Sequence, residues 1–145
     1  MHSIVISAGA LALDTVIKKK REKNKQIKEY LDGNIRIMTY HNYGAFLNCG
    51  DKKPFVVKVI SVLLVFILTF VYVMTFTKFG SKQLRMGLAL VLGGAYSNTY
   101  DRVKRGYVVD YLNFPKIPFK IRNIVFNISD FFIIIGACLI VIKQK

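Results

Sequence analysis

The chain has 145 residues, of which 53% are hydrophobic, and its formal net charge is +14, from 22 Lys and Arg against 8 Asp and Glu. The length fits a single domain covering residues 1–145, and the hydrophobic content is high for a soluble protein. The composition therefore argues against an ordinary soluble enzyme and favours a membrane protein.

Four apolar stretches predict an all-α integral membrane protein with four transmembrane helices. Residues 59–77 and 124–142 are each 19 residues long, and only Asp130 interrupts the second, so each is long enough to span a bilayer. Residues 3–17 and 86–100 are shorter and rich in small residues, which suits helices packed inside a bundle. A cleaved signal peptide is the alternative for residues 3–17, but no positive leader precedes them. We expect the helices at about residues 3–17, 55–78, 86–100 and 122–142.

Two long polar segments connect these helices. Residues 18–54 hold ten of the 22 basic residues, and their first half has the pattern of a charged helix ending at the turn signal Asp32-Gly33. Residues 34–47 are rich in β-favouring side chains and predict one or two short strands. The second long segment, residues 101–121, contains two prolines that prevent a continuous helix.

The link at residues 78–85 is short, so the helices on either side of it should be antiparallel neighbours. Long and short connections alternate along the chain, which puts both long segments on the same side of the membrane.

Neither cysteine nor histidine indicates a special site. Cys49 and Cys138 are 89 residues apart, and neither they nor His2 and His41 have the spacing of metal ligands. We therefore expect no metal and no cofactor. A charge of +14 is compatible with nucleic-acid binding, but anionic lipid at a membrane surface explains it equally well, and we favour lipid.

Carboxylates are scarce in the second half of the chain. In the 94 residues from Lys52 onward the acids are Asp101, Asp110 and Asp130, all in or beside the last two apolar stretches. An ionisable group at membrane depth is costly and therefore indicates a functional site. The alternative for Asp101 is a simple salt bridge with Arg102, Lys104 or Arg105.

The spacing of these acids predicts a shared site. Asn98, Asp101 and Arg102 fall at i, i+3 and i+4, and Asn127 and Asp130 repeat the i, i+3 relation, so two Asn–Asp faces can converge with Asp110 between them. Two neighbouring carboxylates share one proton, which is what an aspartic peptidase requires. The ionised carboxylate then takes a proton from water while the protonated one donates to the peptide carbonyl.

Four sequence blocks resemble the lipoprotein signal peptidase family, also called signal peptidase II. They are "DTVIK" at residues 14–18, "NYGAF" at 42–46, "NTYDRVKRGYVVDY" at 98–111 and "FNISDFFI" at 126–133. Their order matches the family pattern over nearly the whole chain. Ser97, Ser129 and Phe131 stand where the family pattern has Gly, Ala and Ser.

The resemblance implies roles for individual residues. Asp110 and Asp130 would be the catalytic pair, and Asn42 with Gly44 would hold the substrate backbone. Five other residues of the matched blocks would shape the site: Asp14, Asn98, Asp101, Arg102 and Asn127.

The resemblance also implies a substrate, a location and an architecture. The substrate would be a diacylglyceryl-modified bacterial prolipoprotein, cut on the amino side of its lipidated cysteine by a monomer in the cytoplasmic membrane. Residues 18–54 and 101–121 would be extracytoplasmic, with a small β platform near the outer leaflet. The positive-inside rule favours the reverse orientation, since residues 18–55 hold ten basic residues and residues 101–123 hold six.

Two alternatives from other classes stay open. One is a catalytically weak paralogue that binds lipidated peptides, and the other is a cationic membrane-perturbing or nucleic-acid-binding protein. Both Asp110 and Asp130 lie in Asn-bearing motifs, which favours the enzyme over the first alternative, and the second would need no such motifs.

Overall fold

The computed structural model of the chain describes residues 2–45, 49–77, 80–118 and 120–142. Phe46 of the "NYGAF" block, the predicted ends at residues 47 and 78, and residues 143–145 lie outside the described residues. Within them the prediction of four helices and a small sheet is confirmed. The elements are α1 (His2–Lys23), β1 (Lys28–Tyr30), β2 (Ile35–Asn42), α2 (Pro54–Met74), α3 (Lys82–Arg105), β3 (Val108–Asn113), a 3₁₀ turn (Lys120–Asn123), β4 (Val125–Phe126) and α4 (Ile128–Val141).

Helix α1 continues well past its predicted end at residue 17. Lys18 lies one turn after Asp14, and its Nζ is 2.7 Å from the Asp14 carboxylate, a spacing that stabilises a helix. Lys20, Arg21 and Lys23 occupy the last turn, where positive charge is favourable beside the helix carbonyls. The basic run predicted as a separate extramembrane helix is therefore the end of α1.

The four strands form one antiparallel sheet in the order β1-β2-β3-β4. Strand β1 was not predicted: the charged helix expected to reach Asp32 ends at Lys23, and a hairpin follows instead. Leu31, Asp32 and Gly33 make the hairpin turn with positive φ angles of 53°, 52° and 79°. Strands β2 and β3 place the catalytic candidate Asp110 opposite Tyr40.

Helix α3 is the centre of the bundle, and α1, α2 and α4 all pack against it. Glycines allow two of these contacts to be very close. A Cβ on Gly93 would lie 2.7 Å from the carbonyl oxygen of Ser7 in α1, and a Cβ on Gly94 would overlap the carbonyl oxygen of Ser129 in α4. Small residues at such positions let helix backbones approach in a membrane bundle.

Helix α2 packs on α3 through larger side chains. Tyr72 joins Leu88, Ala89 and Leu92 in the buried apolar cluster, and the Thr69 hydroxyl lies 2.7 Å from that of Tyr96. Later residues of α2 thus contact earlier residues of α3, which confirms the predicted antiparallel pairing.

By length and composition, α2 is the helix among the described residues that could cross a membrane, with a mean hydropathy of 2.7 over 18 residues. Helix α4 is apolar but has only 14 residues. The predicted 19-residue span at 124–142 is divided, because β4 occupies Val125–Phe126 and Asn127 caps α4. Four helices are therefore present, with one clear span.

Helix α3 is longer than predicted at both ends. Its N-cap is Ser81, whose hydroxyl accepts a hydrogen bond from the Leu84 N–H. It ends at Gly106, which adopts a left-handed φ of 85° and turns the chain into β3. The turn brings Asp110 back beside the last turns of α3.

We expect Gly94→Ala to destabilise the protein by about 1–3 kcal/mol, because the added methyl must push α4 away from α3. Gly9→Ala is the matched control, since a Cβ there meets nothing within 4 Å and alanine is the better helix former. Thermal unfolding of the purified proteins in one detergent measures both. Equal melting temperatures for the two variants would show that α3 and α4 can separate at no cost.

Candidate active site

One cavity of about 320 Å³ contains both catalytic candidates. Asp110 enters it from β3 and Asp130 from the first turn of α4. The cavity is lined by six of the nine residues predicted for the site: Asn42, Asn98, Arg102, Asp110, Asn127 and Asp130. The other three, Asp14, Gly44 and Asp101, contact these residues or their neighbours from outside the cavity.

Asp110 is almost fully buried and accepts two hydrogen bonds from amide side chains. The Asn42 Nδ2 donates to Oδ2 over 2.9 Å, and the Asn127 Nδ2 donates to Oδ1 over 2.6 Å. Neither donor is charged. The carboxylate is thus held in place without a cation in contact with it among the described residues.

Asp130 also accepts two N–H groups. The Asn98 Nδ2 donates to Oδ1 over 3.0 Å, and the backbone N–H of Asn127 donates to Oδ2 over 2.9 Å. In return, the Asn127 Oδ1 accepts the backbone N–H of Asp130, which completes a capping box at the start of α4. The i, i+3 spacing predicted to mark one helix face is here the signature of a helix N-terminus.

Asn127 connects the two carboxylates. Its side chain binds Asp110 while its backbone binds Asp130, and its second amide hydrogen goes to the Asn98 Oδ1 over 3.1 Å. Four polar groups on α3, β3 and α4 are therefore joined by direct hydrogen bonds, which keeps the two carboxylates at a fixed separation.

The orientation of the Asn98 amide is set by Lys18 of α1. The Lys18 Nζ donates to the Asn98 Oδ1 over 2.7 Å, and an ammonium can only donate. The Asn98 Nδ2 must therefore point the other way, towards Asp130. Lys18 is 1% exposed, so this cation is part of the interior.

Two buried carboxylates balance the charge of Lys18. Its Nζ is 2.7 Å from the Asp14 Oδ2 and 3.1 Å from the Asp101 Oδ2. Asp101 also pairs with the Arg105 Nε over 3.3 Å and accepts the backbone N–H of Val109, the residue before Asp110. Of the salt-bridge partners predicted for Asp101, Arg105 is confirmed, and the buried partner is Lys18 rather than Arg102.

Asp14 links three parts of the fold. Its Oδ2 accepts the hydroxyls of Ser97 in α3 and Ser129 in α4, both over 2.6 Å, and its Oδ1 accepts the Tyr111 hydroxyl of β3. Ser97 and Ser129 are the two small positions that depart from the family pattern. Both departures therefore place a donor on the same carboxylate oxygen.

Phe131, the third departure, packs against other aromatic rings. Its ring lies 6.3 Å from that of Phe114 and 6.0 Å from that of Phe126, so three aromatic rings cluster beside β4. This cluster supports the sheet where it meets the start of α4.

Arg102 and Gly44 join the sheet to α3. The Arg102 Nη2 donates to the Gly44 carbonyl over 2.7 Å, and the Gly44 N–H donates to the Asn42 Oδ1 over 2.9 Å. Asn42 and Gly44 were predicted to hold the substrate backbone. In this arrangement both backbone groups of Gly44 already have partners within the protein.

Burial gives Asp110 an unusual acidity. Loss of hydration, followed by the nearby charge of Asp130, raises the pKa of Asp110 to about 7, while the amides of Asn42 and Asn127 and the charge of Lys18 act in the opposite direction. A carboxyl group with such a pKa keeps its proton close to neutral pH. The pKa of the Tyr111 phenol, beside Asp110, is also raised, because burial disfavours its charged form.

Sequence reasoning missed four buried or part-buried members of this network: Lys18, Ser97, Tyr111 and Ser129. Lys18 carried a signal, because it follows Asp14 at i+4 in a helix. The hydroxyl groups carried none, since a serine or tyrosine pattern does not reveal which carboxylate it will meet. Among the residues that the structure describes, no three His, Cys, Asp or Glu side chains gather in a metal-binding group.

The chain is similar to known proteins over nearly its whole length. The family model for signal peptidase (SPase) II matches residues 6–144. A lipoprotein signal peptidase of Caldicellulosiruptor bescii is 31% identical over 94% of this chain and 85% of its own length. One from Mesorhizobium japonicum is 33% identical, with 97% and 83% covered.

The fold is also similar to a solved structure of a bacterial membrane enzyme. That structure, determined by the in meso method at 2.3 Å resolution, superposes with a TM-score of 0.84. Its sequence is 24% identical, and the match covers 99% of this chain and 93% of the other. At this identity the likeness supports the fold.

We expect Lys18→Met to lower the free energy of unfolding by about 3–5 kcal/mol, because Asp14 and Asp101 would stay buried with less compensating charge. Lys20→Met, at an exposed position two residues on, is the matched control and should change it by less than about 0.5 kcal/mol. Adding Asp14→Asn to Lys18→Met should recover part of the loss. Denaturant unfolding in detergent measures all three, and a Lys18→Met protein as stable as the control would contradict this account.

Proposed function

The chain belongs to the signal peptidase II family, and from this premise we propose that it is an aspartic endopeptidase whose catalytic pair is Asp110 and Asp130. Membership of the family gives the reaction as proteolytic removal of the signal peptide from a lipoprotein. The observation that carries the catalytic assignment is the presence of the two carboxylates in one cavity, both hydrogen-bonded by Asn127.

The proposed mechanism needs one proton on the pair. The ionised carboxylate accepts a proton from a water molecule as the water oxygen attacks the peptide carbonyl, and the protonated carboxyl donates to the carbonyl oxygen. When the intermediate collapses, the carbon–nitrogen bond breaks and the carboxyl that gained the water proton gives it to the departing amine. The other carboxylate takes a proton back from the hydroxyl that becomes the carbonyl of the new acid, which restores one proton on the pair. Retention of a proton by Asp110 near neutral pH supports this cycle.

The cavity walls favour a lipidated substrate. Asp110 and Asp130 lie among amides, whereas the cavity is closed elsewhere by Leu64 and Leu68 of α2 and by Ile133 of α4. A peptide bond at the polar part can therefore bind together with acyl chains along the apolar walls. We propose a diacylglyceryl-modified bacterial prolipoprotein as the substrate, cut on the amino side of the lipidated cysteine.

Asn42, Asn98, Asn127 and Arg102 are proposed as site-shaping residues, with Asp14, Gly44 and Asp101 supporting them from behind. The alternative function, a weak paralogue that only binds lipidated peptides, is not favoured. Such a protein has no need for two carboxylates that each accept two N–H groups in one cavity.

We propose that all four helices lie in the bacterial cytoplasmic membrane, with the sheet and the catalytic pair near the outer leaflet. Some of the basic residues that oppose this orientation are neutralised by salt bridges, in the interior for Lys18 and at the surface for Arg36. Lys18 pairs with Asp14 and Asp101, Arg105 pairs with Asp101, and Arg36 pairs with Glu29. The remaining positive charge faces anionic lipid rather than nucleic acid in this proposal, and the active unit is a monomer because one chain supplies the whole cavity.

The catalytic assignment is tested by replacing each carboxylate. Asp110→Asn and Asp130→Asn keep the size of the side chain but remove a proton-transfer group, so each should lower the cleavage rate by at least about 10²–10⁴-fold. The double variant should be little worse than either single one, because the two residues act as a unit. The measurement is cleavage of a diacylglyceryl-modified prolipoprotein by purified protein in detergent.

Asp32→Asn is the matched control for this experiment. Asp32 is exposed in the hairpin turn at positive φ, a conformation that asparagine also tolerates, so cleavage should be unchanged. If Asp110→Asn kept near wild-type activity with an unchanged melting temperature, the aspartic mechanism would be wrong.

The pH dependence tests the shared proton. Because the pKa of Asp110 is raised, the pair keeps its last proton up to pH about 7, and kcat/KM should fall above that value as the proton is lost. Asn42→Ala removes an N–H donor that favours the ionised carboxylate, so it should move this alkaline limb to higher pH. A rate that stays constant between pH 6 and 9, or a limb that moves downward in Asn42→Ala, would contradict the assignment.

A further inference from the structure

A second cavity, of about 510 Å³, lies on a different face of the bundle, between α1 and α3. The groove residues include Ala8, Ala12 and Val16 on α1 and Tyr96 and Tyr100 on α3, and none of the described residues that line it is charged. The catalytic cavity, by contrast, is lined by α2, α3, α4 and the sheet. The groove is therefore separate from the catalytic pair.

The shape of this groove is fixed by contacts at its edges. The Tyr96 hydroxyl is 2.7 Å from the Thr69 hydroxyl of α2, and this contact holds the Tyr96 ring, which lines the groove, in place. Far from the sheet, the Tyr72 hydroxyl of α2 donates to the Ser3 hydroxyl of α1 over 2.8 Å and ties these two helices together. These two hydrogen bonds fix α1 and α3, the helices that border the groove, to α2.

Two lysines stand at the end of the groove nearest the sheet. Lys104 follows Tyr100 by one turn, and its Nζ donates to the Tyr100 hydroxyl over 2.9 Å and lies 5.4 Å from the centre of that ring. Lys19 lies three residues after Val16 and four after Thr15 on α1, so it continues the face of that helix that lines the groove, and its side chain is exposed. Each helix that borders the groove thus continues from apolar lining to an exposed cation.

Neither cation is neutralised. Among the described residues, no carboxylate lies within salt-bridge distance of Lys19 or Lys104, whereas neighbouring Lys18 and Arg105 are both paired. The end of the groove therefore has a net positive charge, next to an uncharged channel.

We propose that this groove binds one anionic phospholipid, with an acyl chain along Ala8, Ala12, Tyr96 and Tyr100 and its phosphate between Lys19 and Lys104. An acyl chain matches an uncharged groove, and a phosphate matches two cations without acidic partners. The site rests on the proposed membrane location, and it lies at the same end of the bundle as Asp110 and Asp130. It takes a structural lipid of that leaflet, not the substrate.

The test measures lipid retention by native mass spectrometry of the detergent-purified full chain. The protein is mixed with equal amounts of phosphatidylglycerol and phosphatidylcholine that have the same acyl chains. The wild type should retain one phosphatidylglycerol in preference to phosphatidylcholine. Lys19→Gln with Lys104→Gln should weaken the retention of phosphatidylglycerol about thirtyfold, as expected for two lysines at a lipid surface.

Two further variants separate the groove from simple charge attraction. Ala12→Leu keeps both lysines but fills the groove, so it should reduce the retention of both lipids. Lys20→Gln with Lys25→Gln removes two exposed lysines elsewhere and should leave retention unchanged. Glycerol phosphate, which has the charged group without acyl chains, should not displace the bound lipid.

Several results would overturn the proposal. They are equal retention of the two lipids by the wild type, unchanged retention in Ala12→Leu, displacement by glycerol phosphate, or a dimer whose formation closes the groove. Cleavage is assayed on the same preparations, and Asp110→Asn should retain lipid as the wild type does. Lipid preference without any cleavage would count against the proposed function alone, and cleavage without preference would count against this site alone.

Discussion

The site depends on one buried ammonium group, that of Lys18. It lies within hydrogen-bond distance of oxygens on Asp14, Asp101 and Asn98, so a single cation holds together α1 and the end of α3. Each of these partners makes further hydrogen bonds. Asp14 accepts hydroxyl groups from α4 and β3, and Asp101 accepts the backbone N–H of the residue before Asp110. Asn98 donates to Asp130. A buried charge is tolerable only when fully paired, so the requirement to pair Lys18 also fixes where the catalytic candidates stand.

The catalytic candidates themselves contact amides instead of cations. Asn42, Asn98 and Asn127 supply all four N–H groups that the two carboxylates accept. Three come from side chains, and the fourth is the backbone N–H of Asn127. Amides do not titrate in the physiological range, so they orient the carboxylates without competing for the proton. The positive charge of Lys18 is one amide away, which lets it favour ionisation of the pair without forming a salt bridge that would fix it.

Much of the fold could be predicted from the sequence, because each apolar stretch contains a helix and the four sequence blocks meet around one site. The helix boundaries could not be predicted, because local side-chain contacts override the composition of a stretch. The basic run after residue 17 was predicted as a separate charged helix, but the Asp14–Lys18 pair continues α1 into it. The last apolar run is continuous in composition, yet Asn127 and Asp130 cap a helix in its midst and leave Val125–Phe126 to the sheet. Hydropathy alone cannot distinguish these outcomes.

The candidate site was predicted with the same mixture of success and failure. Six of the predicted residues do line one cavity. Equal spacing, however, had two different meanings: Asn127 and Asp130 form a capping box, while Asn98 and Asp101 lie on one helix but serve different partners. The contribution of Ser97 and Ser129 could not be foreseen, because it depends on three helices meeting at Asp14.

The glycine contacts of α3 make the bundle mechanically uneven. Backbone meets backbone at Gly93 with α1 and at Gly94 with α4, so these helices cannot slide or tilt past α3 without a steric clash. Helix α2 has no such lock in the described residues and rests on α3 through longer, more compressible side chains such as Leu68 and Tyr72. Widening the catalytic cavity for a bulky substrate therefore costs the least free energy if α2 moves. Such a movement leaves the two carboxylates and their amides undisturbed.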